Sequence, residues 1–212
     1  MTFKTILTVT GPGSGNADLK LATALCEEVE AHLAVLVMAL AAPPPIGGYA
    51  AVINDAWLAE READQKSLEE RTQEISAFLA ASPVSADISS EYRETGWADE
   101  AIGRRCRYAD LTVLGPEGLS SGELKDKVIE GALFHSGKPL LLVPQGRAAT
   151  MKPRRVMVAW DSRIESSQAV TQSMSLLVGA DQVRLVLVDP VEGDLDQGAE
   201  PGADAATYLA RH

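Results

Sequence analysis

Two short glycine-rich segments are the parts of this sequence best suited to chemistry. One is Gly11-Pro12-Gly13-Ser14-Gly15-Asn16. The other runs from Gly115 to Gly122 and carries Gly115, Gly118, Ser120 and Ser121. Glycine lets backbone N–H groups come close to a phosphate, and a helix starting just after the turn adds the positive end of its dipole. The chemistry in view is binding of a phosphorylated ligand, although tight turns alone call for the same glycines. Two specific motifs are excluded. A dinucleotide fingerprint needs glycine at 11, 13 and 16 and an acid closing the second strand, whereas position 16 is Asn16 and that strand closes on Met38-Ala39-Leu40. A Walker P-loop needs Gly-Lys-Ser/Thr, which does not occur.

The remaining reactive residues point to no catalytic centre. Cys26 and Cys106 fall on apolar positions of predicted helices and read as buried free thiols. No metal-ligand spacing surrounds them. His32 at the end of a helix, His135 near another helix end and His212 are far apart, so no Ser-His-Asp or metal constellation can be built from them. Trp57, Trp97 and Trp160 read as packing residues. The expectation is a protein that is not an enzyme.

The elements that must position the glycines alternate between strand and helix. Ile6–Thr10 reads as a buried strand, and a helix follows with Asn16 as its N-cap. That helix carries Ala22, Leu25, Cys26 and Val29 on one face. Leu33–Leu40 is a continuous apolar run, as in an interior parallel strand. Pro43-Pro44-Pro45 and Gly47-Gly48 mark a loop. An amphipathic helix follows over about 56–81, with Leu68, Ile75, Phe78 and Leu79 on its core face. Ala86–Tyr92 reads as an edge-type strand, Ala98–Tyr108 as a helix, Leu111–Leu114 as a strand, Leu124–His135 as a helix and Pro139–Val143 as a fifth strand. This alternation predicts an α/β domain, a doubly wound parallel sheet with helices on both faces. Its ligand site would lie beyond the C-terminal strand ends, where the two glycine loops meet.

The sequence then begins again. A shift of 150 positions places Ile6-Leu7-Thr8-Val9 on Val156-Met157-Val158-Ala159, and Leu33, Val35 and Val37 on Val183, Leu185 and Leu187. Two strands keep register across a 27-residue separation, which reads as a repeat of a whole domain. The expected organisation is a complete domain over 1–146, a linker over 147–152 and a partial second copy over 153–212. The second copy stops before counterparts of residues 63–146 appear. A lone strand-helix-strand piece buries its apolar faces poorly, so either the chain is cut or another chain covers it.

Bulk properties narrow the function classes. The 212 residues carry a formal net charge of −11, which repels nucleic acid and anionic membrane surfaces. No apolar run approaches the roughly 20 residues that span a bilayer. The N-terminus MTFKTILTVTG enters a strand with no signal pattern. A cytoplasmic protein is expected, with neither nucleic acid nor membrane as a partner.

The segments TILTVTG, YADLTVLGPEGLSSGELKDKV and LFHSGKPLLLVP, with VMVAWDS and YLARH in the second copy, resemble the universal stress protein family. The markers are Ala109-Asp110-Leu111, Gly115-x-x-Gly118 and the stretch His135–Pro144. The two-copy arrangement is similar to the tandem members of that family. The resemblance implies a five-stranded sheet of order 3-2-1-4-5, of the adenine-nucleotide α-hydrolase-like kind, and domain pairing across the fifth-strand edge. It therefore implies a homo-oligomer, a dimer through sheet edges. In some members it also implies an ATP site with the pattern Gly-x2-Gly-x9-Gly-Ser/Thr. Here Gly115 and Gly118 supply the first half. The second half is replaced by Asp126-Lys127 or Val128-Ile129. The acid that the family commonly places at the end of strand one is Gly11 in the first copy and Asp161 in the second. The candidate binding residues are therefore Gly11, Gly13, Met38, Gly115, Gly118, Ser120, Ser121 and Asp161. ATP or AMP is the ligand to test, and no cofactor is certain from the sequence. The expected function is that of a universal stress protein-like, non-enzymatic stress-response binding or interaction protein with a degenerate nucleotide pocket. The alternatives are an ATP-binding universal stress protein or an adenylating enzyme of the α-hydrolase type.

Overall fold

A computed structural model describes residues 3–44, 55–189 and 201–212, less the side chains of residues 56 and 201. The chain forms two compact units, Phe3–Ala149 and Thr150–His212.

The first unit runs β1 (Thr5–Thr10), α1 (Ala17–Val29), β2 (His32–Ala41), α2 (Asp55–Ala80), β3 (Ala86–Glu94), α3 (Thr95–Cys106), β4 (Leu111–Leu114), α4 (Pro116–Leu119), α5 (Glu123–Glu130), a π-helical turn (Gly131–Ser136) and β5 (Leu140–Leu142). Its five strands pair in parallel in the order β3-β2-β1-β4-β5. This is the doubly wound sheet expected from the alternating elements. The strands with the most apolar sequences sit in the middle. Ile6, Leu33, Leu36, Val37 and Val113 have no exposed surface, while β3 at the edge alternates between half-buried and exposed. One face of the sheet buries Leu7, Val9, Leu36 and Met38 against Ala101, Ile102, Cys106, Leu124 and Val128 of α3 and α5. Asp110 ties the base of the sheet together, its Oδ2 accepting from the backbone N–H groups of Lys4 and Thr5 at 2.8 and 3.0 Å.

Several local expectations change. The loop after β4 contains the one-turn helix α4, entered through Pro116. The helix expected over Leu124–His135 is α-helical only to Glu130. At Gly131 α3 packs too closely for a side chain. A Cβ at Gly131 would press on the carbonyl oxygen of Asp99, and His135 lies on Gly103. His32 opens β2 instead of ending α1, which stops at Glu30 in a left-handed cap. Trp97 is 65% exposed and is no packing residue, because α3 turns Ala98, Ala101 and Ile102 inward and leaves Trp97 outside. Cys26 and Cys106 are buried free thiols. Of the proline- and glycine-rich loop expected over Pro43–Gly48, only its first two residues lie within the described residues.

The second unit contains β6 (Arg155–Ala159), α6 (Ile164–Gln172), α7 (Met174–Val178), β7 (Gln182–Val186) and α8 (Pro201–Leu209). β6 and β7 pair in parallel, Arg155 opposite Gln182 and Val156 opposite Val183. In the first unit Thr5 pairs with His32 and Ile6 with Leu33, which is the same register 150 positions earlier. Its small core is Val158, Val170 and Leu177, with Val183 and Leu185 packed against it.

Candidate functional site

The loop after β1 and the loop after β4 meet beyond the C-terminal ends of the two central strands. They border a cleft of about 420 Å³, within the usual range for small-molecule sites. Gly11, Gly13, Met38, Ser120 and Ser121 all line it, together with Glu117, Leu124 and Leu40. Five of the eight residues singled out from the sequence therefore come together here. Met38 is itself buried and forms part of the apolar floor with Leu124. Gly11 lies against Leu124, where an added Cβ would approach to 3.3 Å.

Gly115 and Gly118 play a different part from the one expected. Neither is among the cleft-lining residues. The carboxylate of Asp18 occupies the space that a Cβ on Gly115 would need, and Leu114 occupies the space beside Gly118. Asp18 is 3% exposed. Its Oδ1 accepts from the N–H of Glu117 at 3.1 Å and its Oδ2 from the N–H of Gly118 at 2.8 Å. The amides of Glu117 and Gly118 are thus already engaged by a side-chain carboxylate. Glycine is needed at 115 to let that carboxylate in, which is a packing requirement.

The exchange is reciprocal. Glu117 Oε2 accepts from the N–H groups of Ala17 and Asp18 at 3.2 and 3.4 Å. An acid from the β4 loop therefore caps α1 while an acid from α1 caps α4, each completing first-turn N–H groups that have no partner inside their own helix. Asn16 stands at the N-cap of α1, but its side chain makes no capping bond. It is held from outside, Arg71 Nη2 donating to Asn16 Oδ1 at 2.9 Å and also to the carbonyl oxygen of Gly15. Arg71 is buried on the inner face of α2 and pairs with Glu74 at 3.0 Å.

The serine hydroxyls of the cleft also turn inward. Ser120 Oγ donates to the carbonyl of Pro116 at 2.9 Å and Ser121 Oγ to that of Gly118 at 2.6 Å. Ser14 Oγ accepts from the N–H of Gly11 at 3.2 Å. Lys127, the basic residue that replaces part of the phosphate motif, is engaged elsewhere. Its ammonium lies 2.9 Å from Glu130 and 3.6 Å from Asp99, and the bond to Glu130 raises its pKa.

Asp161 belongs to the second unit. It is exposed, and its Oδ1 accepts from the N–H of Arg163 at 3.1 Å at the start of α6. That bond, followed by the Ser166 hydroxyl, holds its carboxyl below the ordinary aspartate value.

Asp18, Glu117 and Arg71 were not singled out from the sequence. For Asp18 the signal was present: residues 18, 22, 25 and 26 lie on the stripe that α1 buries, and an acid on that stripe demands a partner. A second arrangement lies at the opposite end of the sheet. His32 Nδ1 lies 2.9 Å from Ser85 Oγ, and Nε2 lies 2.6 Å from Asp87 Oδ1. The parallel register that sets Leu33 opposite Ala86 brings the three together. They sit at the N-terminal ends of β2 and β3, away from the cleft. Among the described residues no cluster of three metal-ligating side chains occurs, and no helix is long and apolar enough to cross a membrane.

No family model matches the chain, and no curated protein is similar to it. Solved structures are. The chain is similar to universal stress proteins. One, from Lactobacillus plantarum, is 18% identical over 68% of this chain and 99% of its own, with a TM-score of 0.45. Another, in complex with cAMP, is 16% identical over 68% and 98%, with a TM-score of 0.39. A third, from Archaeoglobus fulgidus, is 15% identical over 68% and 95%, with a TM-score of 0.37.

Proposed function

We propose that this chain is a non-enzymatic, stress-response-type binding or interaction protein whose first unit carries a nucleotide-type cleft that has lost its phosphate grip. The observation that carries this reading is the Asp18 carboxylate on the N–H groups of Glu117 and Gly118. A bound phosphate would have to displace a buried, doubly hydrogen-bonded anion. Two further features support it. The small pair that would close the second half of the phosphate motif is absent, and Lys127 is held by Glu130 and Asp99. The second unit is read as a repeat of the first strand-helix-strand segment, supported by the matching strand registers. Homo-dimerisation through sheet edges and a cytoplasmic location belong to the same reading. The net charge of −11 weighs against nucleic acid as a partner.

Isothermal titration of the full chain with ATP and magnesium tests the proposal. The expected result is no saturable binding at submicromolar concentration. Tight, magnesium-dependent ATP binding would show that Asp18 yields its place and that the grip is intact.

A further inference from the structure

We propose that Ser85 is a nucleophilic serine, activated by His32 and with Asp87 as the positioning residue, and that it accepts an acyl group from an activated donor such as an aryl ester. The site lies at the N-terminal ends of β2 and β3, opposite the cleft, and does not depend on how the cleft is read.

The backbone fixes the arrangement first. The N–H of His32 donates to the carbonyl of Lys4 at 2.8 Å, and that of Leu33 to the carbonyl of Ser85 at 2.9 Å. Leu33 stands opposite Ala86, so His32 and Ser85, one step earlier on each strand, face each other. Paired side chains of parallel strands share a face, and Asp87, two residues after Ser85, returns to it. Spacing along the chain hides this set, because Ser85 is 53 positions from His32 and Asp87 is 55.

The chemistry follows from where the protons sit. A carboxylate only accepts, so the 2.6 Å contact with Asp87 Oδ1 places the ring proton on Nε2. In the neutral ring Nδ1 then carries no proton and can only accept. The 2.9 Å contact with Ser85 Oγ is therefore bridged by the serine's own hydroxyl proton. That is a nucleophile bonded to a base whose tautomer is set by a third group. Ser85 is exposed, and the side chains of His32 and Asp87 are 36% and 64% exposed, so a donor reaches the oxygen without opening the fold. In the step, Ser85 Oγ bonds to the carbonyl carbon and the ester C–O bond breaks. The leaving group departs with its electron pair, and the hydroxyl proton passes to Nδ1. The acyl group stays on Ser85.

The test uses p-nitrophenyl acetate on the full chain, with p-nitrophenolate release followed by absorbance and the acetyl group located by peptide mass spectrometry. Ser85 should be acetylated about a hundredfold faster than the other serines, the order that a positioned general base supplies. That comparison is made within the unmodified protein and needs no variant. His32→Ala should bring Ser85 down to the rate of the other serines. Added imidazole should then restore part of the rate, a rescue that a merely structural histidine would not show. Asp87→Asn should slow Ser85 by about tenfold or more, because the ring proton is no longer held on Nε2. Acetylation of Ser85 no faster than the other serines would overturn the proposal. So would a folded His32→Ala protein that is acetylated at the unmodified rate, or an acetyl group found on His32 in place of Ser85.

Discussion

The segment β1-α1-β2 and its counterpart β6-α6-α7-β7 carry the same strand register 150 positions apart, yet they are built to different depths. β1 has a neighbour on each side and is buried at five of six positions, whereas β6 has one neighbour and is buried at one of five. The first helix is continuous from Ala17 to Val29. In the second copy helix breaks at Ser173, whose hydroxyl donates to the carbonyl of Ala169. Side-chain hydroxyls that compete for the backbone weaken a helix, and little packing restrains this one. Register, then, is kept in both copies. Burial follows from how many neighbours the sheet supplies.

The largest expected effect breaks or upholds that statement directly. Leu33 has no exposed surface, and Val183, its counterpart, is half-buried. Leu33→Ala should cost about 2–5 kcal/mol, and Val183→Ala about 1 kcal/mol or less. Urea denaturation followed by circular dichroism gives both numbers. Equal costs would mean that the second sheet is as deeply packed as the first, and the comparison would fail.

The same contrast explains what the sequence made legible. The parallel sheet was readable because interior strands such as Leu33–Leu40 are apolar throughout, a pattern that needs no knowledge of partners. The strand order came from resemblance, and the sheet has that order. The two glycine loops were readable, and so was their meeting at the cleft. The reason for Gly115 was not. It depends on Asp18, which lies about a hundred residues away, and nothing local in Gly115-Pro116-Glu117-Gly118 announces a carboxylate. The capping role of Glu117 was hidden for the same reason. The contacts of His32 with Ser85 and Asp87 needed the pairing register of β2 with β3, which periodicity leaves free to slide. Trp97 stays exposed despite its apolar bulk because it lies outside the face of α3 defined by Ala98, Ala101 and Ile102.

A smaller effect separates the two turns themselves. Asp18 has Gln168 as its counterpart, and Gln168 is exposed. Asp18→Ala strips the partner from two amides, one of them buried, and should cost about 2–3 kcal/mol. Gln168→Ala should stay within about 0.5 kcal/mol. Asp18→Asn, which keeps one acceptor oxygen, should fall between them. Thermal unfolding of the three variants ranks these costs. A neutral Asp18→Ala would mean that water or another group takes over the amides, and the internal-anion account of the cleft would lose its energetic basis.

The smallest effect concerns the residue that follows the first strand of each copy, Gly11 in one and Asp161 in the other. The turn at Gly11 closes through a hydroxyl, its N–H donating to Ser14 Oγ. The turn at Asp161 closes through a carboxylate that accepts from Arg163. Because that bond and the Ser166 hydroxyl lower the folded pKa below the ordinary aspartate value of 3.8, the contribution of Asp161 is present above that value and fades as pH falls through the lower, folded one. An amide NMR titration should show the Arg163 signal moving with a midpoint below 3.8. Asp161→Asn should abolish that movement while leaving β6 and β7 paired. A midpoint at or above the ordinary value would mean that the carboxylate is not held at the start of α6, and the contrast with the Gly11–Ser14 turn would lose its basis.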